Sequence, residues 1–304
     1  MQNHRPRVPP GLAIGVAIIA ASTASILIRY AQREASSSVI AAYRLAIATA
    51  ILAPLLITRY RPKLRAVSGR NLKLTLLAGG FLALHFATWI RSLEFTSVTS
   101  SIVLVQTTPL MVAALSPVLI REPLTRYLLI GVLVATAGSL LVGVSDACAK
   151  PPCVTRGQAI RGDLLALAGA AAGAGYVLVG RVVRREVALV PYMGIAYAAA
   201  AVLLGLAAWA AGDPATGFTA STYLAMVLLA LLPQLIAHST YNWALGFLPA
   251  AVVSLALLGE AVGSSVLAYL LLGEVPTSIR MTGGGLILAG IALGAAGVRR
   301  QSNS

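Results

Sequence analysis

Apolar residues along this chain gather in long blocks, and the polar and charged residues collect in short stretches between them. Ten blocks stand out: Gly11–Ile28, Val39–Ile57, Leu72–Ile90, Ser97–Ile120, Tyr127–Val144, Asp163–Val182, Ala188–Ala211, Thr222–Leu245, Ala250–Leu272 and Ile279–Val298. About 20 apolar residues, rising about 1.5 Å each, cross about 30 Å of hydrocarbon. The blocks show no apolar/polar alternation and are too long for barrel strands, so each predicts a helix. The expected fold is an all-α integral membrane protein with ten transmembrane helices, numbered here as spans 1 to 10. The basic start "MQNHRPRVPP" and the small residues of "IAASTAS" also resemble a cleaved signal. With nine further spans behind it, a retained first helix is the more economical reading.

Composition agrees with burial in lipid. Of 304 residues, 58% are hydrophobic and only 11% charged, and the mean hydropathy is +0.86; soluble domains have about 25% charged residues. The net charge of +14 is spread between the apolar blocks rather than along one face, which speaks for membrane topology and against nucleic acid. With the N-terminus cytoplasmic, fifteen of the 23 Lys and Arg fall on the cytoplasmic side, seven on the other, and Arg44 lies within span 2. Both termini are therefore expected in the cytoplasm of a bacterial cell, with the chain in the inner membrane as a multi-pass protein. The basic loop "RYRPKLRAVSGRNLK" fits this orientation without a dedicated role, although anionic lipid headgroups would suit it too. Cys148 and Cys153 share one external loop; in an oxidising compartment they can form a disulfide, and two free thiols are the alternative. No histidine accompanies them, so no metal site is expected.

A gapless shift of 152 residues aligns the chain with itself. Thr88 pairs with Thr240, Trp89 with Tyr241, Leu93 with Leu245 and Phe95 with Phe247. Glu122, Thr125, Gly131 and Gly138 then pair with Glu274, Thr277, Gly283 and Gly290, giving E-x2-T-x5-G-x6-G twice. Each copy holds five spans. Five is odd, so the second copy enters the membrane from the opposite side, and two inverted repeats around a central cavity are expected. The domain boundaries expected are an N-terminal tail at 1–10, a first repeat at 11–145, an external loop at 146–161, a second repeat at 162–298 and a C-terminal tail at 299–304.

Ionisable residues within spans are costly, about 2.5–3.5 kcal/mol at a helix centre, and mark functional positions. They are Arg44, His85, His238 and Glu260. His85 and Trp89 are four residues apart and share a face of span 3; His238, Tyr241 and Asn242 share one of span 8. With Gln106 and Tyr176 these residues form the candidate substrate-binding set. They suit a small amphiphile such as an apolar or aromatic amino acid. Interfacial aromatic belts are the alternative, and they fit Tyr30, Tyr127 and Trp209 best. Three roles compete for Glu260: holding a substrate ammonium, carrying a proton, or satisfying a buried structural partner. Arg44 lies near the outer end of span 2, where snorkelling or pairing with a neighbour is expected. Pro109 removes a backbone donor from span 4 and can kink it. The glycines of "LAGAAAGAGYVLVG" and "TGGGLILAGIALGAAG" allow close helix approach. No H-E-x-x-H, G-x-S-x-G or P-loop pattern is present, so no enzyme chemistry and no cofactor are expected.

The repeated "TTPLMVAALSPVLIREPLT" and "LGEAVGSSVLAYLLLGEVPT", within two sets of five spans, resemble the EamA-type drug/metabolite transporters. The family pattern of a fourth-helix Pro and a terminal Glu falls on Pro109, Glu122, Glu260 and Glu274, and Arg44 matches an arginine common in the second helix. Ala261 stands where a Pro usually follows the glutamate, which puts a kink in span 9 in doubt, although Gly259 and Gly263 can loosen the helix. Within the superfamily the chain most resembles YddG-type exporters of aromatic and other apolar amino acids. The resemblance implies a cavity lined by helices 1, 3, 4, 6, 8 and 9, alternating access without a nucleotide, and a small-molecule substrate. The chain is expected to work as a monomer, since each molecule completes its own cavity. A multidrug or other metabolite exporter of the same fold is the alternative, and a channel a more distant one.

Overall fold

The computed structural model describes residues 9–96, 98–147, 156–272 and 275–301. Cys148, Cys153 and Glu274 lie outside the described residues, so the disulfide expectation and the second terminal glutamate are not addressed by it. Among the described residues nine helices are long and apolar enough to cross a membrane, and one further apolar helix, Arg126–Val142, is shorter.

Span 1 is two helices, α1 (Pro10–Ala21) and α2 (Ala24–Ala31). Span 2 is α3 (Ser37–Thr58), and the loop after it carries the short basic α4 (Arg61–Arg65). Span 3 is α5 (Gly69–Ser92). Span 4 joins α6 (Val98–Val105), α7 (Thr108–Leu115) and a π-helical turn, Ser116–Ile120. Spans 5, 6 and 7 are α8 (Arg126–Ala147), α9 (Arg156–Arg184) and α10 (Leu189–Ala210). Span 8 runs from α11 (Ala220–Leu229) through a π-helical segment, Ala230–His238, into α12 (Ser239–Ala244). Span 9 is α13 (Ala250–Leu257) and α14 (Gly259–Leu272), and span 10 is α15 (Ser278–Gln301).

Capping carries several helices past their apolar blocks. The Ser68 hydroxyl accepts from the Asn71 amide at 3.3 Å, so α5 starts at Gly69 rather than at Leu72. Ser36 does the same for α3 through the Val39 amide. Proline explains two of the interruptions. Pro109 cannot donate to the Val105 carbonyl, and the Thr108 hydroxyl donates to it instead at 2.7 Å. Pro233 sits inside the π-helical segment of span 8, where the missing donor forces the ladder to widen. Span 9 breaks without a proline. Leu258 and Ala261 donate to carbonyls three residues back, Leu255 and Leu258, which tightens the turn between α13 and α14. Under the 152-residue shift this break corresponds to the one at Gln106–Thr107 in span 4. Span 9 is therefore interrupted at the place equivalent to the break before Pro109, although Ala261 stands at the proline position.

In lipid no hydrophobic force drives helices together, so small residues that permit close approach set the pairing. The most extensive pair is α8 with α15. A Cβ on Gly131 would lie 2.6 Å from the Gly290 carbonyl oxygen, and one on Gly138 would lie 2.5 Å from that of Gly283. The lower number in one helix meets the higher in the other, so α8 and α15 run antiparallel. Along α5 the glycines of α9 do similar work: Gly169 faces Trp89 and Gly173 faces His85. The α3 helix packs on α10, α1 on the π-helical part of span 8, and α7 on α13.

Hydrogen bonds sort the loops onto two faces. On one, Asn71 Nδ2 donates to Glu186, joining the loops after spans 2 and 6, and Glu122 bonds to Arg185 and to the Ala250 amide, joining those after spans 4, 6 and 8. On the other, Ser37 donates to Glu94, Thr96 to Asp163 and Ser36 to Asp213. Trp209 is 80% exposed at the end of α10, as an interfacial aromatic would be.

Candidate functional site

The interrupted spans 1, 4, 8 and 9 converge with spans 2 and 3 on an interior cavity of about 90 Å³. Its walls carry Arg44, His85, Trp89, Gln106, His238 and Glu260, with Phe86, Pro109 and Pro233 between them. Five of the eight expected substrate-binding residues thus meet there, together with the expected hinge residue Pro109. The contributing spans differ from the set implied by family resemblance: span 2 lines the cavity through Arg44, and span 6 does not line it. The small residues of α9 explain this. They bring its backbone so close behind α5 and α7 that Gly169 O accepts from His85 Nδ1–H at 2.8 Å and Ala170 O accepts from Thr108 at 3.3 Å. The helix supports the wall rather than forming it.

Of the two roles expected for Arg44, the structure shows pairing with neighbours. Arg44 does not snorkel: it is 1% exposed. Its Nε donates to Gln234 Oε1 at 2.8 Å, and its guanidinium stands 4.3 Å from the centre of the Phe86 ring. Gln234, fully buried beside Pro233, turns the side chain inward. The Arg44 Nη1 nitrogen has no hydrogen-bond partner among the described residues. Glu260 lies in the first turn of α14, where Ser22 holds the backbone: its hydroxyl donates to the Glu260 carbonyl at 3.1 Å, and Ser264 donates to the Ser22 carbonyl at 3.1 Å. A Cβ on Gly263 would come within 2.1 Å of Ser22 Oγ, and one on Gly259 within 2.7 Å of Ile18. These two glycines, expected to loosen span 9, let it press against span 1.

The aromatic faces meet as the helical spacing implied. His85 and Trp89 stack at 5.8 Å between ring centres, and His238 meets Tyr241 edge-on at 6.4 Å. Phe86 joins the two faces, 5.7 Å from His238. Sequence reasoning passed over Phe86 because it is an ordinary apolar residue in an apolar span. The available signal was the 152-residue shift, which makes Phe86 and His238 counterparts. The His85 bond to a carbonyl makes Nδ1 its protonated nitrogen and leaves Nε2 as the acceptor of the neutral ring. Gln106 is held by Ser139 of α8.

Tyr176, Tyr241 and Asn242 do not line the cavity. Asn242 Nδ2 donates to the Tyr176 hydroxyl at 2.7 Å and to that of Tyr197 at 3.3 Å, about one helical turn towards the face that carries Glu122. Beyond them lies a polar cluster. Glu122 accepts from Arg181 Nε at 2.6 Å, from Arg185 Nη2 at 2.5 Å and from the Ala250 amide at 2.9 Å. Arg181 also donates to Leu245 O at 2.8 Å and Arg184 to Asn242 O at 2.9 Å. Arg121, just before Glu122, has φ 55°, the left-handed conformation that turns the chain back under the bundle. Among the described residues no group of three or more metal-ligating side chains occurs.

A solved structure described only as a crystal structure of a protein superposes with a TM-score of 0.79 over 96% of this chain and 98% of its own, at 20% identity. That likeness speaks for the fold alone. No curated protein matches. The sequence model of the EamA-like transporter family matches twice, at residues 10–144 and 160–295. Helices of membrane-spanning length around an interior cavity of mixed polar and apolar lining, with the family's pattern repeated along nearly the whole chain, make this protein a member of the EamA-like transporter family, a membrane transporter of small metabolites.

Proposed function

We propose that the chain is a secondary carrier that exports amino acids, aromatic and other apolar ones foremost, by alternating access in a bacterial inner membrane with both termini cytoplasmic. Its ten spans are two inverted five-span repeats. The antiparallel crossing of α8 and α15 supports that arrangement, because the equivalent glycines Gly131/Gly283 and Gly138/Gly290 meet crosswise. The contact between the counterparts Phe86 and His238 supports it too, since a residue touching its own equivalent lies near a two-fold axis.

The observation that carries the functional reading is the cavity itself, where groups of opposite charge and aromatic rings face one space. At about 90 Å³ it is well below the roughly 300–1,000 Å³ of pockets for drug-sized ligands. A channel would instead need a continuous polar lining. His85, Trp89, Gln106, His238 and Glu260 contact substrate, and Tyr176, Tyr241 and Asn242 form the wall between the cavity and the Glu122 cluster. The breaks at Pro109 and before Gly259 act as hinges when the cavity enlarges. Positive-inside orientation makes the Glu122 face cytoplasmic, so the cluster there closes the cytoplasmic route.

Proteoliposome counterflow tests the reading. Labelled phenylalanine, methionine and threonine exchange across vesicles holding the pure protein, with saturation and mutual competition. Trp89→Ala and Tyr241→Ala change the apparent affinity for phenylalanine, and Glu260→Gln reduces flux. Flux that rises linearly without competition, or exchange confined to unrelated drugs, overturns it.

A further inference from the structure

Arg44 and Glu260 are opposite charges facing one small cavity, yet they do not pair: no Arg44 nitrogen lies within 4.0 Å of a Glu260 oxygen. Among the described residues Arg44 has a single hydrogen-bond acceptor, Gln234 Oε1, and its Nη1 has none. No described residue hydrogen-bonds the Glu260 carboxylate. Burying two charges costs desolvation of several kcal/mol per ion, which only close pairing or a third charged body offsets. Arg44 is held in place by Gln234 and Phe86, and Glu260 is held at its backbone carbonyl by Ser22. Trp89, whose indole Nε1 also lacks a partner among the described residues, adds a donor from the cavity wall.

We propose that Arg44 and Glu260 are the two poles of a zwitterion site, the guanidinium taking the α-carboxylate of a free amino acid and Glu260 its ammonium. The pairing chemistry matches: Arg presents a planar fork of donors to a carboxylate, and Glu presents only acceptors to an ammonium. The size matches as well. A cavity of about 90 Å³ holds about three waters, enough for a carboxylate and an ammonium on one carbon but not for an aromatic side chain. The side chain then lies among Phe86, Trp89 and His238, where the walls must part to admit it. This inference rests on the amino-acid carrier reading and names the groups through which that class is recognised.

The test is ligand-induced thermal stabilisation of the purified full chain with three probes: phenylalanine, 3-phenylpropionate (no ammonium) and phenethylamine (no carboxylate). In the wild-type protein phenylalanine stabilises most and each half-ligand less. Arg44→Gln weakens phenylalanine by about 10- to 100-fold and abolishes the effect of phenylpropionate, the size expected on losing a charge-assisted hydrogen bond. Glu260→Gln abolishes the effect of phenethylamine and spares phenylpropionate. The wild-type panel decides even if Arg44→Gln fails to fold: no stabilisation by phenylpropionate, or none by any probe, overturns the site, as does an Arg44→Gln protein that still responds to phenylpropionate. Counterflow separates the two levels. Phenylalanine that binds with this pattern but does not cross sinks the carrier reading and leaves the site standing. Phenylalanine that crosses while phenylpropionate neither binds nor competes sinks the site and leaves the carrier.

Discussion

Removing the Glu122 carboxylate is the sharpest test of the packing described above. Glu122 lies between spans 4 and 5, and its two oxygens take hydrogen bonds from span 6 through Arg181 and Arg185 and from the first turn of span 9 through the Ala250 amide. The Glu122 and Arg181 side chains are each only 10% exposed, whereas Arg185 is 46% exposed. The Arg185 contact therefore behaves as a surface pair, about 0–1 kcal/mol. The Arg181 contact does not. In Glu122→Ala the Arg181 guanidinium keeps, among the described residues, only the Leu245 carbonyl as a partner, and breaking a buried pair from one side costs about 3–5 kcal/mol. Because Arg181 keeps that carbonyl, the lower end, about 3 kcal/mol, is the expected loss. A double-mutant cycle with Arg181→Ala, followed by unfolding in mixed micelles, isolates the pair. The expected coupling is about 1.5–3 kcal/mol, near the upper range for residues in one hydrogen-bonded network. A coupling below about 0.5 kcal/mol, the value of an exposed pair, would refute the reasoning. If the cluster closes one route to the cavity, a cysteine placed at Asn242 also becomes more reactive to a polar thiol reagent in Glu122→Ala.

Three further outcomes follow from local geometry. Gly138→Leu forces a side chain onto the Gly283 carbonyl, where even a Cβ would lie at 2.5 Å; a loss of at least about 1–3 kcal/mol is expected in thermal unfolding, and a neutral result would place the α8–α15 crossing elsewhere. Arg121→Gly removes the penalty of a side chain at φ 55° and is expected to stabilise by about 1 kcal/mol in the same assay, with the Glu122 bonds intact. Glu34, fully exposed beyond span 1, accepts from the Thr219 amide at 2.9 Å, which holds its carboxyl below its ordinary 4.5. A lowered value means that the ionised form stabilises the fold above 4.5, and that this contribution disappears as pH falls below it. Wild-type and Glu34→Gln proteins should thus differ in melting temperature at neutral pH and converge in acid; a constant difference would remove this bond from the account.

The sequence by itself determined which segments enter the membrane. Hydrocarbon length and the cost of unsatisfied backbone are set by lipid, so apolar blocks suffice to find the spans, and the glycines repeated at Gly131, Gly138, Gly283 and Gly290 marked where two of them approach. It also found His85, Trp89, His238 and Glu260, because a polar group in hydrocarbon is costly enough to be conspicuous. The tertiary structure alone decided which of those groups face a common space. Arg44 looked peripheral by its position in span 2, and only the buried Gln234 and the Phe86 ring turn it inward. Tyr241 shares a helical face with His238 yet stops short of the cavity, and Phe86 carried no chemical signal at all. The break at Leu258 lacks a proline and arises where span 9 packs against Ile18 and Ser22. Burial cost is a property of a residue and its solvent, which can be read along the chain. Side-chain direction depends on the neighbours that folding brings, and those are up to 242 residues away.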